Sequence, residues 1–174
     1  MRKRTWVMSG VLVAVVAAVA LMVGVGSAAF SRLEASMNGD NELDQVTLER
    51  GAGDPNGTAT AIVRVNPATR TVCFDLDWRK IQAPARAHIH EGNRTANGDI
   101  IVPLFETGEP PPADETDPTD QDLPASLRSA GGCVRDVAAT RAQLRDIRDN
   151  PRQFYVNIHN NAFPAGAVRG QLHP

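Results

Sequence analysis

The chain has 174 residues, room for one domain behind a short leader. It carries 18 basic and 20 acidic residues, and three of the basic ones (Arg2, Lys3, Arg4) lie in the leader, so 15 face 20 in the remainder, a net of −5. That balance excludes a general nucleic-acid surface and simple docking on anionic lipid.

Residues 1–29 stand apart. "MRKR" is a positive start, "WVMSGVLVAVVAAVALMVGVG" an apolar run, and "GSAAF" a stretch of small residues. This is the pattern of a secretory signal peptide cut after Ala28 or Ala29. The apolar run also approaches the ~20 residues that span a bilayer, so an uncleaved N-terminal membrane anchor is the alternative. Either one places the remainder at the cell surface or beyond it.

Residues 30–174 read as one domain of short strands between turns. Alternation predicts strands at 32–37 and 57–65, the second closed by a turn in "NPAT". "RTVCFDLDW" (70–78) places Val72, Phe74, Leu76 and Trp78 on one face. Strands follow at 85–90 and 100–105, and Pro103 marks the latter as an edge or a bulge. Residues 106–132 hold five prolines and seven acidic residues ahead of Arg128, with little to bury. They are expected to form a mobile acidic loop. "CV" (133–134) resumes an ordered segment, and 136–151 reads as one helix with Val137, Leu144 and Ile147 on a shared face, ended by Pro151. Two strands close the chain, at 153–159 and 167–172. Seven strands and one short helix, with no βαβ rhythm, predict an all-β fold: an antiparallel Greek-key β-sandwich or barrel.

Cys73 and Cys133 are the only cysteines. In an exported chain such a pair reads as a disulfide, with two buried thiols or half a metal site as the competing readings.

Three of the four histidines fall in phase. His88 and His90 share one face of the strand "ARAHIH", opposite Ala87 and Ile89, and His159 shares the polar face of its strand with Tyr155 and Asn157. The polar faces are expected to point away from the core. If the two strands are neighbours, His88, His90 and His159 can converge on a copper or zinc ion. The plainer reading is a polar sheet face ordered by hydrogen bonds to Asn157 or to backbone carbonyls. No phosphate loop, nucleophile elbow or zinc-protease helix is present.

"LEASMNGDNEL", "GTATAIVRVNPATRTVCFDLDW", "AHIHEG", "GDIIVPLF", "GCV" and "FYVNIHNNAFPAGAVRGQL" follow one another in an order that resembles the CHRD domain, named after chordin, over residues 31–173. The resemblance implies an extracellular β-sandwich module, stand-alone and secreted in microbes. It makes Glu91, Gly92, Asn157, Arg169, Gly170 and Gln171 motif residues alongside the three histidines, and it transfers no catalytic residue. The cysteine-rich modules that flank the domain in chordin are absent, so growth-factor binding is not carried over. "AHIHEG" also looks like the histidine–x–histidine–glutamate strand of copper/zinc superoxide dismutases, where His88 and His90 would match copper ligands. No histidine lies between 90 and 159, so the bridging ligand and the zinc half have no counterpart.

The sequence thus predicts a secreted or surface-tethered, non-enzymatic module that binds an extracellular protein or envelope component, without nucleic acid, touching a membrane only through an uncleaved leader. No cofactor is required on that reading. The alternative is a copper- or zinc-binding module using His88, His90 and His159, with weak dismutase-like redox activity as its extension.

Overall fold

The computed structural model describes residues 29–107 and 126–174. The leader and most of the acidic insert lie outside the described residues. Among the described residues no helix is long and apolar enough to cross a membrane.

Eight strands form one antiparallel sheet: β1 Ser31–Asn38, β2 Thr58–Asn66, β3 Thr71–Arg79, β4 Arg86–Glu91, β5 Ile100–Glu106, β6 Ser129–Val134, β7 Phe154–His159 and β8 Val168–Gln171. Their order is β5-β4-β7-β8-β1-β2-β3-β6. β3 beside β6 and β4 beside β7 are non-consecutive neighbours, the connection pattern of a Greek key. The sheet curls until its two edges, β5 and β6, approach each other. The Phe105 ring on β5 then lies 6.3 Å from that of Phe74 on β3.

Period-2 alternation fills the interior. Leu33, Ala35 and Met37 of β1 stand opposite Val63, Ala61 and Ala59 of β2, which stand opposite Phe74, Leu76 and Trp78 of β3. Ala87 and Ile89 of β4 and Val156 and Ile158 of β7 close the core from the other side. Pro103 sits on the edge strand as expected, and the β4–β5 register shifts on both sides of His88–Ile89.

Two predicted boundaries are corrected. The helix, α1, runs only over Arg141–Asp149, five residues later than expected at its start. Thr140 and Gln143 form a capping box, which satisfies the first free N–H groups and fixes the start there. Val137, Leu144 and Ile147 are all buried, but Val137 reaches the core from the segment ahead of the helix. The expected loop 106–132 is shorter at both ends: Glu106 still belongs to β5, and Ser129 opens β6. "SAGG" lacks the alternation that marks a strand. Its pairing with β3 makes it one.

That pairing sets Cys133 directly opposite Cys73, and the two form a disulfide. The bridge spans 60 residues. In the chain-entropy account such a loop is worth roughly 4 kcal/mol. Reduction, or Cys73→Ala with Cys133→Ala, should lower unfolding free energy by about that amount in denaturant titrations. An unchanged midpoint would show that the bridge does not constrain the unfolded chain.

Candidate metal centre

β4 and β7 are neighbours, so the condition set by the sequence is met. His88 pairs with Asn157, His90 with Tyr155, and Arg86 with His159, which puts His159 diagonal to His88 on the same face. One ring nitrogen from each of the three histidines lies within 4.8 Å of the other two.

The expectation that this face points away from the core holds for direction but not for solvent. His88 is 2% exposed, His90 8% and His159 6%. Two chain segments bury them, one between β4 and β5 and one between β7 and β8. The first contributes the Gly98 carbonyl, 2.9 Å from His90 Nδ1. The second contributes the Pro164 carbonyl, 3.0 Å from His159 Nδ1.

These contacts assign the tautomers. A carbonyl only accepts, so Nδ1 carries the proton in His90 and His159, and their Nε2 atoms keep a bare lone pair. His88 Nε2 is 3.1 Å from the Glu106 carboxylate, which also accepts. His88 therefore donates from Nε2 and keeps its lone pair on Nδ1. That atom lies 3.2 Å from His159 Nε2. Two lone pairs face each other, and the third, His90 Nε2, is buried without any hydrogen-bond partner. Such an arrangement is repulsive unless a cation or a proton sits within it.

Burial favours neutral rings. It pushes His90 down to about 4 and His159 down to about 3, the latter helped by neighbouring His88. It also lowers His88, against the opposing pull of Glu106. Neutral imidazole is the form that coordinates metal.

The motif residues hold the cover in place. Arg169 of β8 is fully buried, with its guanidinium 3.4 Å from the centre of the Tyr155 ring. It donates to Asn97 Oδ1 at 2.9 Å and to the Asn93 and Ala96 carbonyls at 2.7 Å each. Gln171 Nε2 donates to the Gly92 carbonyl at 2.6 Å, and Gly92 turns the chain at φ +146°. Gly170 lets β8 lie against β1: a Cβ there would come within 2.4 Å of the Ser36 carbonyl oxygen. Tyr155 stacks on His90, with ring centres 4.8 Å apart and planes 4° from parallel. The cover, Tyr155 and His90 form one packed unit.

Of the two partners the plainer reading offered, the structure gives the histidines backbone carbonyls, those of Gly98 and Pro164, and not Asn157. Asn157 donates to Glu42 Oε2 at 3.0 Å. Glu42 is a buried carboxyl that burial raises to about 7, against the pull of Arg169. Glu91, the motif glutamate, is exposed and lies outside the cluster, as does His173. Sequence reasoning missed Glu106, Tyr155 and Glu42. Glu106 was hidden among the acidic residues of the insert. Tyr155 shares the phase of Asn157 and His159, and that was its one available signal.

The described residues thus form an antiparallel Greek-key β domain with three buried imidazoles beneath a tethered segment. The CHRD domain family model matches residues 33–172. The chain belongs to the CHRD domain family. A search of curated proteins and a search of solved structures return no match.

Proposed function

We propose that this protein is an exported CHRD module whose three-histidine cluster holds a single copper or zinc ion. The leader supports export. One observation carries the metal: one ring nitrogen of each histidine lies within 4.8 Å of the others, the lone pairs of His88 Nδ1 and His159 Nε2 meet at 3.2 Å, and His90 Nε2 is buried without a partner, while the opposite nitrogen of each ring is committed to an oxygen. Metal-bound histidines are oriented in this way, by a carboxylate or carbonyl behind the ligating ring. Nitrogens no more than 4.8 Å apart share a centre within about 2.8 Å of each, and small ring rotations bring that to the 2.0–2.1 Å of a Zn–N bond. The 3.2 Å pair already matches the ~3.3 Å between neighbouring ligands of a tetrahedral ion. A shared proton is the competing occupant. It would leave His90 Nε2 unpartnered and put an imidazolium where burial disfavours one. Imidazole ligands suit both metals, and the general affinity order for divalent ions favours copper.

The role is read as binding rather than catalysis because the three rings are buried, between 2% and 8% exposed. The expected result is near one equivalent of copper or zinc on untagged, desalted protein after incubation with the ion, measured by elemental analysis. His90→Ala and His159→Ala should each abolish it. Glu106→Gln should weaken it by roughly 10–100-fold, since it alters only the orienting partner. Substoichiometric metal on a well-folded chain would overturn the reading.

A further inference from the structure

A second polar feature lies on the outer face of β1 and β8. Two hollows, of about 250 and 370 Å3, share Arg94, Gln171 and His173 as a common wall. Arg50 and Arg169 complete the cationic lining of the first, and Arg152 that of the second. Among the described residues neither lining contains an aspartate or glutamate.

Elsewhere on this acidic chain Arg86 and Arg141 bond backbone carbonyls, and four arginines sit in ion pairs: Arg32 with Glu34, Arg64 with Asp75, Arg70 with Asp136 and Arg148 with Asp149. The groove arginines have no such partner. Arg50 is held against the Asp40 carbonyl and Asn41 Oδ1, and Arg169 against the carbonyls of the cover. The side chains of Arg94 and Arg152 make no hydrogen bond or ion pair with described residues. Two guanidinium groups are therefore fixed and two are free to close on a ligand. Guanidinium forks match carboxylate, phosphate and sulfate oxygens.

The rest of the lining narrows the ligand. Asn38, Asn41, Thr95 and Gln171 are amides and a hydroxyl, which suit sugar hydroxyl groups. Among the described residues no phenylalanine, tyrosine or tryptophan lines either hollow, and His173 is the one ring on which a base could stack, which is less than the run of aromatic platforms that single-stranded nucleic acid uses. We infer that the groove binds an acidic saccharide, a sugar chain bearing carboxylate, phosphate or sulfate groups. None of the three clustered histidines lines the groove, although Arg169, Gln171 and the cover are shared between the two sites.

The test titrates the purified full chain with fluorescently labelled oligosaccharides of alginate (carboxylate) and dextran sulfate, with neutral dextran and a single-stranded DNA oligomer as controls. Saturable binding to an acidic sugar, absent for dextran and weakened by salt, supports the assignment, and the tighter of the two polymers names the anion. Arg94→Glu with Arg152→Glu should reduce that affinity at least tenfold with the thermal midpoint unchanged, because both side chains are exposed and bond nothing. Glu106→Gln, which lies outside both linings, should leave it unaltered. No binding to either acidic polymer, binding that survives the double charge reversal, or equal binding of DNA would each overturn the proposal.

Discussion

Arg169→Met should destabilise the domain by roughly 3–5 kcal/mol, the scale for removing one member of a buried charged network. Methionine fills much of the volume but supplies no donors. Asn97 Oδ1 and the Asn93 and Ala96 carbonyls each lose a bond to a charged group, and buried Glu42 loses its nearest cation. The loss is felt at the histidines too. The cover carries the Gly98 carbonyl that fixes the His90 tautomer, so its release should weaken metal uptake and raise hydrogen exchange at the amides of 93–98. Arg169→Lys should recover only part of the stability, because an ammonium cannot span three acceptors as the planar fork does. Denaturant titration and exchange measurements check both effects. Wild-type protection at 93–98 in the methionine variant would show that Arg169 is not the tether.

The second large effect is acid lability of the metal-free protein. Histidine ordinarily titrates near 6.5, while burial holds His90 in the fold near 4 and His159 near 3 and shifts His88 the same way. Below pH 6.5 the unfolded chain therefore binds protons that the folded chain refuses, and stability falls with pH. Glu42 works in the opposite sense. Burial raises it from the ordinary 4.5 to about 7, so its contribution is full at low pH and is lost as pH rises through 7. His90 and His159 against Glu42 leave a net of about one proton between pH 6 and 4.5, and His88 acts in the same direction. At about 1.4 kcal/mol per proton per pH unit, the loss is on the order of 2 kcal/mol. Thermal midpoints across that window should fall steeply without metal and more shallowly with it. His90→Gln with His159→Gln should flatten the metal-free curve. A metal-free midpoint independent of pH would mean that the rings are charged or exposed in the fold.

Much of this architecture is legible in the sequence because its strands alternate cleanly. Val72, Phe74, Leu76 and Trp78 could be placed on the core face without a structure, as could the common phase of His88, His90 and His159. β6 was illegible for the opposite reason. "SAGG" has no large side chain to bury, and only its position beside β3 makes it a strand. The depth of the histidines was also out of reach. Alternation tells which face a residue takes, whereas the cover over that face depends on contacts such as Arg169 to Ala96, 73 positions apart. Glu106 belongs to the same category, since composition grouped it with the insert while β-pairing turned it toward His88.

The tether has a consequence for how this chain can vary. A segment clamped at Gly92, Asn93, Ala96 and Asn97, and returning at Gly98 to meet His90, has no slack to absorb an inserted or deleted residue. The acidic insert between β5 and β6 is rich in proline and carboxylates and has little in its sequence to bury. Drift in length and composition should therefore collect between 108 and 125, while the eight residues from 92 to 99 behave as part of the barrel wall. In an engineered version, the insert is the place to graft a peptide or a second domain.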